Sequence, residues 1–320
     1  MKRRHFAITN DAIYDAIHSL PWKQQGEGSI RAYEAFYLAA PLHFSHGITV
    51  SDENRGRPIL LLAGTSIPFS DRIDLVKYLV ESGYEVASIS NQIGGLFDIN
   101  INPRKDRVDS LRHYLQYLTE TVHIEGVDIL AQSYSAFEII RVLQEDPVKY
   151  KQIVKSIILI NPPGLNNKTG VIKHCSRFVW HHVLKGYSTA LKVLLSKRRE
   201  ANDKMFARRE VTSISTWSYK TLKNPARTMK EVFDIVSYKI KDHLVTLHDK
   251  YHYDINFFLQ TGDQILPLHI TLRQIADIFP SHTIKVVPGG HNDVFFQECQ
   301  RKALRDFIQE IRLRESRGNF

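Results

Sequence analysis

The sequence predicts an α/β protein in which helices flank a mostly parallel central sheet and an inserted helical cap interrupts the core. Short apolar runs rich in β-branched residues alternate with runs of helical periodicity over residues 35–163 and again from residue 253. Such alternation is typical of a parallel sheet with helices packed on its faces. A chain of 320 residues can form one core of this kind with an insertion.

Eight runs have the length and composition of strands. They are residues 35–40, 45–51, 58–63, 84–89, 127–132, 154–160, 255–260 and 282–287. The run 58–63 is apolar throughout, which is typical of a strand that is buried on both faces of the sheet. The first two runs precede this buried strand and could pair antiparallel. Pro162 and Pro163 end the run 154–160, because two prolines can extend neither a helix nor a central strand.

Five runs have the apolar spacing of amphipathic helices. They are residues 71–82, 110–122, 135–144, 272–278 and 293–314. In the first of them Val76 and Leu79 are among the residues at helical spacing, and Gly83 stands where a helix commonly ends. We expect these helices to cover the two faces of the sheet.

The predicted core comprises residues 35–163 and 253–320, after an N-terminal extension of residues 1–34. The cap, residues 164–252, is strongly basic. From 165 to 252 the sequence holds 18 Lys and Arg against 7 Asp and Glu, so the cap carries essentially all of the net charge of +9.

The cap also alternates basic residues with aromatic ones. Apolar side chains facing inward would line a substrate tunnel, and the basic ones could attract an anionic headgroup or a membrane surface by peripheral contact. A solvated face over a small helical core explains the same pattern equally well. Nucleic acid is not an expected partner, because no nucleic-acid motif accompanies the charge. A metal site at Cys175, His181 and His182 is not expected either, since adjacent histidines on a helix cannot both face one ion.

The N-terminal residues and the cysteines predict a cytoplasmic protein. The basic start at Met1 resembles that of an export signal, but Asp11 and Asp15 lie where the apolar part of such a signal would begin, and no apolar run of signal length appears. No run approaches the ~20 apolar residues that span a bilayer. The two cysteines, Cys175 and Cys299, lack CxxC spacing, which fits a reducing compartment.

Ser133 is the candidate nucleophile. It follows the predicted strand 127–132 and precedes a helix, with small residues, Ala131 and Ser135, on either side. A sharp strand-to-helix turn of this kind exposes a serine hydroxyl above the sheet. The alternative is an ordinary helix N-cap, a position where serine is common.

Asp263 and His291 are the candidate partners of that serine. Each follows a predicted strand, and glycines (Gly262, Gly289 and Gly290) supply the bends before them. A carboxylate at 263 can fix the tautomer of an imidazole, and Asn292 with Asp293 can cap the terminal helix. An Asp in a turn and a solvated loop histidine are the ordinary alternatives. All three candidates would lie at the carboxyl edge of the sheet, in the chain order Ser, Asp, His.

These motifs, A-Q-S-Y-S around Ser133, G-D-Q-I-L-P around Asp263 and G-G-H-N-D around His291, resemble the α/β-hydrolase superfamily. The resemblance covers about residues 35–163 and 253–316 and implies a Ser-Asp-His triad with an oxyanion hole. In the family, the strand-to-helix turn that carries the nucleophile is called the nucleophile elbow and usually reads G-x-S-x-G. Here Ala131 and Ser135 stand at its two glycine positions. The cap has no counterpart in the resemblance.

The resemblance also indicates two backbone N–H donors for the oxyanion hole. One is Tyr134, directly after the nucleophile. The other is assigned to Thr65 in the Ala63-Gly-Thr turn, where the family usually carries His-Gly. Ser66 could add a hydroxyl donor or serve only as a polar turn residue.

The expected reaction is hydrolysis of a small-molecule ester or thioester with an apolar acyl group, whose leaving part could be anionic. Ser133 would attack the carbonyl with His291 as base, and water would release the acid. No metal or organic cofactor is implied, since phosphate-loop and dinucleotide glycine patterns are absent. An acyltransferase would use the same residues, and a non-catalytic binding protein would explain the imperfect elbow. The sequence indicates no oligomeric state.

Overall fold

The fold is known from a computed structural model, which describes most of the α/β core and parts of the remaining chain. The described residues are 36–39, 57–64, 69–84, 86–89, 126–165, 187–196, 240–263 and 266–317, with positions 108, 109, 111, 112, 115, 180, 204, 207, 211 and 238. The predicted N-terminal extension, the predicted strand 45–51 and most of the cap lie outside them.

Seven described strands form one sheet. They are β1 (Phe36–Ala39), β2 (Ile59–Leu62), β3 (Val86–Ile89), β4 (Val127–Gln132), β5 (Val154–Ile160), β6 (Asp254–Gln260) and β7 (Ile284–Val287). Their order across the sheet is β1-β3-β2-β4-β5-β6-β7. Among these strands only β1 runs antiparallel to its neighbour, β3. The strands β2 to β7 are parallel and therefore all place their carboxyl ends at one edge of the sheet.

The described helices follow the strands, as expected for parallel connections. They are α1 (Phe69–Glu81), α2 (Ser135–Glu145), α3 (Pro147–Ile153), α4 (Tyr187–Leu195), α5 (Ile240–Asp249), α6 (Leu268–Ile275), α7 (Asp293–Phe296) and α8 (Glu298–Ser316). Positions 108, 109, 111, 112 and 115 are also helical, in line with the predicted helix 110–122. Within the described part of the chain, no helix has the length and apolarity needed to cross a membrane.

The apolar core lies on both faces of the sheet. Along β2, Leu60 contributes to one buried cluster and Leu61 to the other, because successive strand residues point to opposite faces. Helices α2 and α5 cover the first face, while α1 and α8 cover the second. Helix α5 falls at the end of the predicted cap range, yet its buried residues Ile240, Leu244 and Leu247 belong to the core cluster around α2.

The predicted elements differ from the structure mainly at their ends. Strands β4 and β5 have the predicted bounds, whereas the helix expected at 272–278 is α6, which begins right after Pro267 and ends at Ile275. The predicted strand 282–287 begins only at Ile284, because a 3-10 turn occupies residues 281–283. The single terminal helix expected at 293–314 is interrupted at Gln297, whose backbone is extended.

A buried ion cluster closes the amino end of the sheet, away from the predicted site. Asp128 on β4 pairs with Arg57 at 2.9 Å and with Arg312 of α8 at 2.8 Å, and it accepts a 3.0 Å hydrogen bond from Ser156 on β5. Its side chain is 2% exposed. The cluster therefore ties helix α8 to the two central strands.

Replacing Asp128 with alanine should lower the free energy of unfolding by about 3 kcal/mol or more, since Arg312 loses its buried carboxylate partner and Arg57 is left with Glu315. Asp109→Ala is the matched control, because Asp109 pairs with Arg112 where both side chains are about 30% exposed. That change should cost less than about 1 kcal/mol. Urea denaturation measures both, and equal losses would contradict a special role for the Asp128 cluster.

Candidate active site

Ser133 sits in a strained turn between β4 and α2. Its φ angle is +55°, in the left-handed region that non-glycine residues rarely adopt. The backbone N–H of Ser133 holds the turn in place, because it donates to the carbonyl of Ile160 at the end of the neighbouring strand β5 at 2.9 Å. The N-cap position of α2 belongs to Tyr134, which makes no side-chain capping bond. Ser133 therefore does not occupy the N-cap position of α2, and its strained backbone is typical of a functional residue.

Ala131 and Ser135, which stand at the usual glycine positions, are both fully buried. The Ser135 hydroxyl donates at 2.7 Å to the carbonyl of Leu62 on β2 and lies 2.8 Å from the carbonyl of Gln132. The elbow therefore accommodates Ser135 in place of glycine, because the hydroxyl of this serine is hydrogen-bonded to backbone carbonyls.

Gly64, at the end of β2, lies directly beside the nucleophile turn. A Cβ atom at this glycine would lie 3.1 Å from the Ser133 Cβ and 2.7 Å from the side-chain oxygen of Gln132. The Gly64 N–H donates to that same oxygen at 2.8 Å. Thr65, the predicted second oxyanion donor, and Ser66 lie outside the described residues, whereas Tyr134 directly follows Ser133 in the turn.

The structure brings Ser133, His291 and Asp263 together. His291 Nε2 lies 2.9 Å from Ser133 Oγ, and His291 Nδ1 lies 2.6 Å from Asp263 Oδ2. The Asp263 side chain is fully buried and that of His291 is 11% exposed. The other carboxylate oxygen, Oδ1, accepts the Leu266 N–H at 2.8 Å. This arrangement can carry a proton from the serine hydroxyl to the imidazole while a carboxylate stabilises the imidazolium.

The loops that carry Asp263 and His291 are bonded to each other. The Gly262 N–H donates to the carbonyl of Gly289 at 2.7 Å, and the Thr261 N–H donates to the carbonyl of Val287 at 2.9 Å. A Cβ atom at Gly262 would lie 2.8 Å from the Gly289 oxygen, and Gly289 itself has a φ of +134°. Glycine is thus required at both positions, at 262 by close approach and at 289 by backbone conformation.

The loop that carries His291, residues 288–292 between β7 and α7, is called the histidine loop. The Asp293 side chain bonds to this loop rather than capping the terminal helix. Its Oδ2 accepts the Gly290 N–H at 2.7 Å and the Gln297 side-chain amide at 2.8 Å. Burial raises the pKa of the Asp293 carboxyl above its ordinary 3.8, the Gly290 N–H partly offsets this, and the nearby charge of Asp263 raises it further. Asn292 occupies the N-cap position of α7, but its side chain makes no capping bond, so the capping role predicted for it is wrong.

Three buried amide side chains at the strand ends, to which the sequence patterns assign no role, lie beside the histidine loop. Gln132, Asn161 and Gln260 come at the carboxyl ends of β4, β5 and β6. Asn161 has a φ of +44°, a second strained residue at this edge of the sheet. An amide residue at or just after the end of each strand was the available sequence signal, but only the fold shows what these side chains contact.

No metal centre accompanies these residues in the described part of the chain, where no group of three or more His, Cys, Asp or Glu side chains is arranged to hold an ion. Cys175, His181 and His182 lie outside the described residues.

Gly262→Ala should lower the free energy of unfolding by about 1–3 kcal/mol, because the new methyl group must push the Gly289 carbonyl away. Gly290→Ala is the matched control on the facing loop. Its Cβ would meet Asp293 at an ordinary 3.6 Å, so the change should stay within about 0.5 kcal/mol. Chemical denaturation compares the two, and equal stability of both variants would refute the close approach at Gly262.

The raised pKa of Asp293 predicts a pH-dependent difference from an Asp293→Asn variant. The folded protein binds the proton of the Asp293 carboxyl more tightly than the unfolded chain does. Wild-type stability is therefore lost as the pH rises from the ordinary pKa of 3.8 through the higher pKa of the folded state. Asparagine keeps an oxygen for both N–H donors and does not ionise.

The stability of Asp293→Asn relative to wild type should therefore increase as the pH rises from about 4 to about 7. Urea denaturation of both proteins across this range measures the difference in stability, and a constant or falling difference would contradict the raised pKa of Asp293.

Comparisons with known proteins support the fold. No family profile matches the sequence, and no curated protein matches it. Solved structures do match. A thermophilic esterase from Thermogutta terrifontis has a TM-score of 0.57 at 14% identity, over 87% of this chain and 93% of that one.

Two further structures resemble the chain to a similar degree. A bromoperoxidase from Bacillus anthracis has a TM-score of 0.55 at 14% identity and covers 86% of this chain and 94% of its own. A carboxylesterase of the ammonia-oxidizing thaumarchaeon Nitrososphaera gargenis has a TM-score of 0.53 at 16% identity, with 88% and 96% covered. All three are α/β-hydrolase-fold proteins. The parallel sheet, the strand-to-helix turn at Ser133 and these likenesses agree, and the chain has the α/β-hydrolase fold.

Proposed function

We propose that this protein is a serine hydrolase that cleaves a carboxylic ester or thioester of an apolar acyl group. The observation that carries the proposal is the unbroken line of contacts from Ser133 Oγ to His291 Nε2 at 2.9 Å and from His291 Nδ1 to Asp263 at 2.6 Å. It lies at the carboxyl edge of a parallel sheet, where α/β proteins place their active sites.

In the proposed mechanism, His291 accepts the hydroxyl proton of Ser133 as the serine oxygen attacks the substrate carbonyl. The buried Asp263 accepts a hydrogen bond from the other ring nitrogen, which keeps Nε2 available as the base and stabilises the imidazolium. Collapse of the tetrahedral intermediate expels the alcohol or thiol, which takes its proton from His291. A water deprotonated by His291 then attacks the acyl-serine, and collapse of the second tetrahedral intermediate releases the acid as His291 returns the proton to Ser133 Oγ.

The proposed oxyanion donors are the backbone N–H groups of Tyr134 and Thr65. Tyr134 follows the nucleophile directly, so its amide belongs to the same turn as the reacting oxygen. On the other side of the site, the Gly64 N–H already donates to Gln132 at 2.8 Å. The proposal therefore uses the next amide, that of Thr65, for the developing negative charge.

The proposed substrate is a small acyl ester or thioester with an apolar acyl part, and an anionic leaving part is compatible with the basic cap. Two described residues of the cap, Trp180 and Leu195, are 61% and 80% exposed. Large exposed apolar side chains in a strongly basic segment suit contact with an amphipathic substrate or a membrane surface. The similar folds include two esterases and a bromoperoxidase, so the hydrolytic part of the proposal depends on the site rather than on the fold.

Hydrolysis of p-nitrophenyl esters of graded acyl length tests the proposal. Ser133→Ala and His291→Ala should each lower kcat by about 10⁴-fold or more, with unchanged circular dichroism. His282→Ala, which removes an exposed histidine from the 3-10 turn before β7, is the matched control and should retain wild-type turnover.

Turnover that survives in the folded Ser133→Ala variant would refute the proposed nucleophile. If wild type hydrolyses no ester but forms an acyl-serine that only another nucleophile releases, the enzyme is an acyltransferase. A folded wild type that does neither would favour the non-catalytic binding protein.

A further inference from the structure

Gln132, the residue directly before the nucleophile, contacts two separate loops of the site. Its side chain is buried at the end of β4. Oε1 accepts the N–H of Gly64 at 2.8 Å, on the loop after β2. Nε2 donates to Asn292 Oδ1 at 3.0 Å and lies 3.5 Å from the carbonyl of His291, on the loop after β7.

The histidine loop is also held from the next strand. The side-chain Nδ2 of Asn161 lies 3.2 Å from the His291 carbonyl and 2.6 Å from the side-chain oxygen of Gln260. The Asn161 Oδ1 accepts the backbone N–H of Gln260 at 3.0 Å. Since β2, β4, β5 and β6 are adjacent in the sheet, the buried amides join four neighbouring strand ends to one loop.

A carboxamide is the chemical group that this position requires. It presents an acceptor on one side and a donor on the other, so one side chain can satisfy a backbone N–H and an amide oxygen together. An apolar side chain could do neither, and an ionised carboxylate could not donate. Gly64 also fits the arrangement, because any Cβ there would lie 2.7 Å from the Gln132 oxygen.

We propose that Gln132 is a positioning residue that couples Gly64, after the end of β2, to the histidine loop, so that both are held by one side chain. This inference rests on the proposed hydrolase function for its catalytic consequence. The coupling itself is a property of the folded protein. It predicts that a change on the histidine loop alters the Gly64 loop, because Gln132 bonds to both.

The test uses the full chain and three variants. Gln132→Met keeps the side-chain volume but removes both hydrogen-bonding groups, and Asn292→Ala removes only the partner on the histidine loop. Ser156→Ala is the matched control, since it deletes a buried 3.0 Å hydrogen bond to Asp128 at the opposite end of the sheet. Amide hydrogen exchange at Gly64 and Gly290, read by nuclear magnetic resonance, reports on each loop.

Both Gln132→Met and Asn292→Ala should accelerate exchange about tenfold at Gly64 as well as at Gly290, as expected when a buried hydrogen bond of ordinary strength is lost. Ser156→Ala should leave both rates unchanged. Unchanged exchange at Gly64 in Asn292→Ala would overturn the proposal, because the two loops would then be held independently.

Kinetics supply the second arm. Gln132→Met should lower kcat about 10²-fold through misplaced groups, with KM changed less than about twofold, and adding Asn292→Ala should lower kcat no further. Independent, multiplying losses in the double variant would also overturn the coupling. If wild type shows no Ser133-dependent turnover, the proposed function fails, and the exchange rates alone decide whether Gln132 couples the loops.

Discussion

The left-handed turn at Ser133 is the constraint on which the rest of the site depends. A non-glycine residue at φ +55° costs of the order of 1–3 kcal/mol, so the surrounding structure must hold it. Parallel pairing on both sides of β4 supplies that support, because the Ser133 N–H bonds to the end of β5 and the Ser135 hydroxyl bonds to the end of β2. The strain is thus stabilised by long-range sheet register, and it places the serine hydroxyl within 2.9 Å of an imidazole.

The loops that carry Asp263 and His291 must then meet beside this turn with their buried polar groups hydrogen-bonded. Backbone pairing joins the loops of Asp263 and His291, and buried carboxamides join the histidine loop to the ends of the central strands. The resulting site places one fully buried carboxylate, Asp263, against the imidazole, while Asp293 binds the loop backbone nearby. Two carboxylates therefore make different contacts, one with the imidazole and one with the backbone of its loop.

Local sequence patterns predicted the parts of this arrangement that depend on a single strand and its turn. Strands β4 and β5 have the bounds that their apolar runs predict, and Ser133, Asp263 and His291 each follow a strand as their flanking small residues indicate. The side-chain bonds of Gln132 could not be predicted, because they span 68 and 160 residues of sequence. The same limit explains Asn292, which has the residue type of a helix cap but bonds to Gln132 instead. The interruption of the terminal helix at Gln297 likewise has no glycine or proline to announce it.

The central claim is that Ser133 is a nucleophile activated by its neighbours, and covalent labelling tests it most directly. Wild-type protein would be incubated with a fluorophosphonate and the adduct located by peptide mass spectrometry. The account predicts one adduct on Ser133 and none on Ser135, two residues later, whose hydroxyl is bonded to the backbone carbonyls of Leu62 and Gln132. A folded protein that stays unlabelled, or that carries its adduct on another residue, would contradict it.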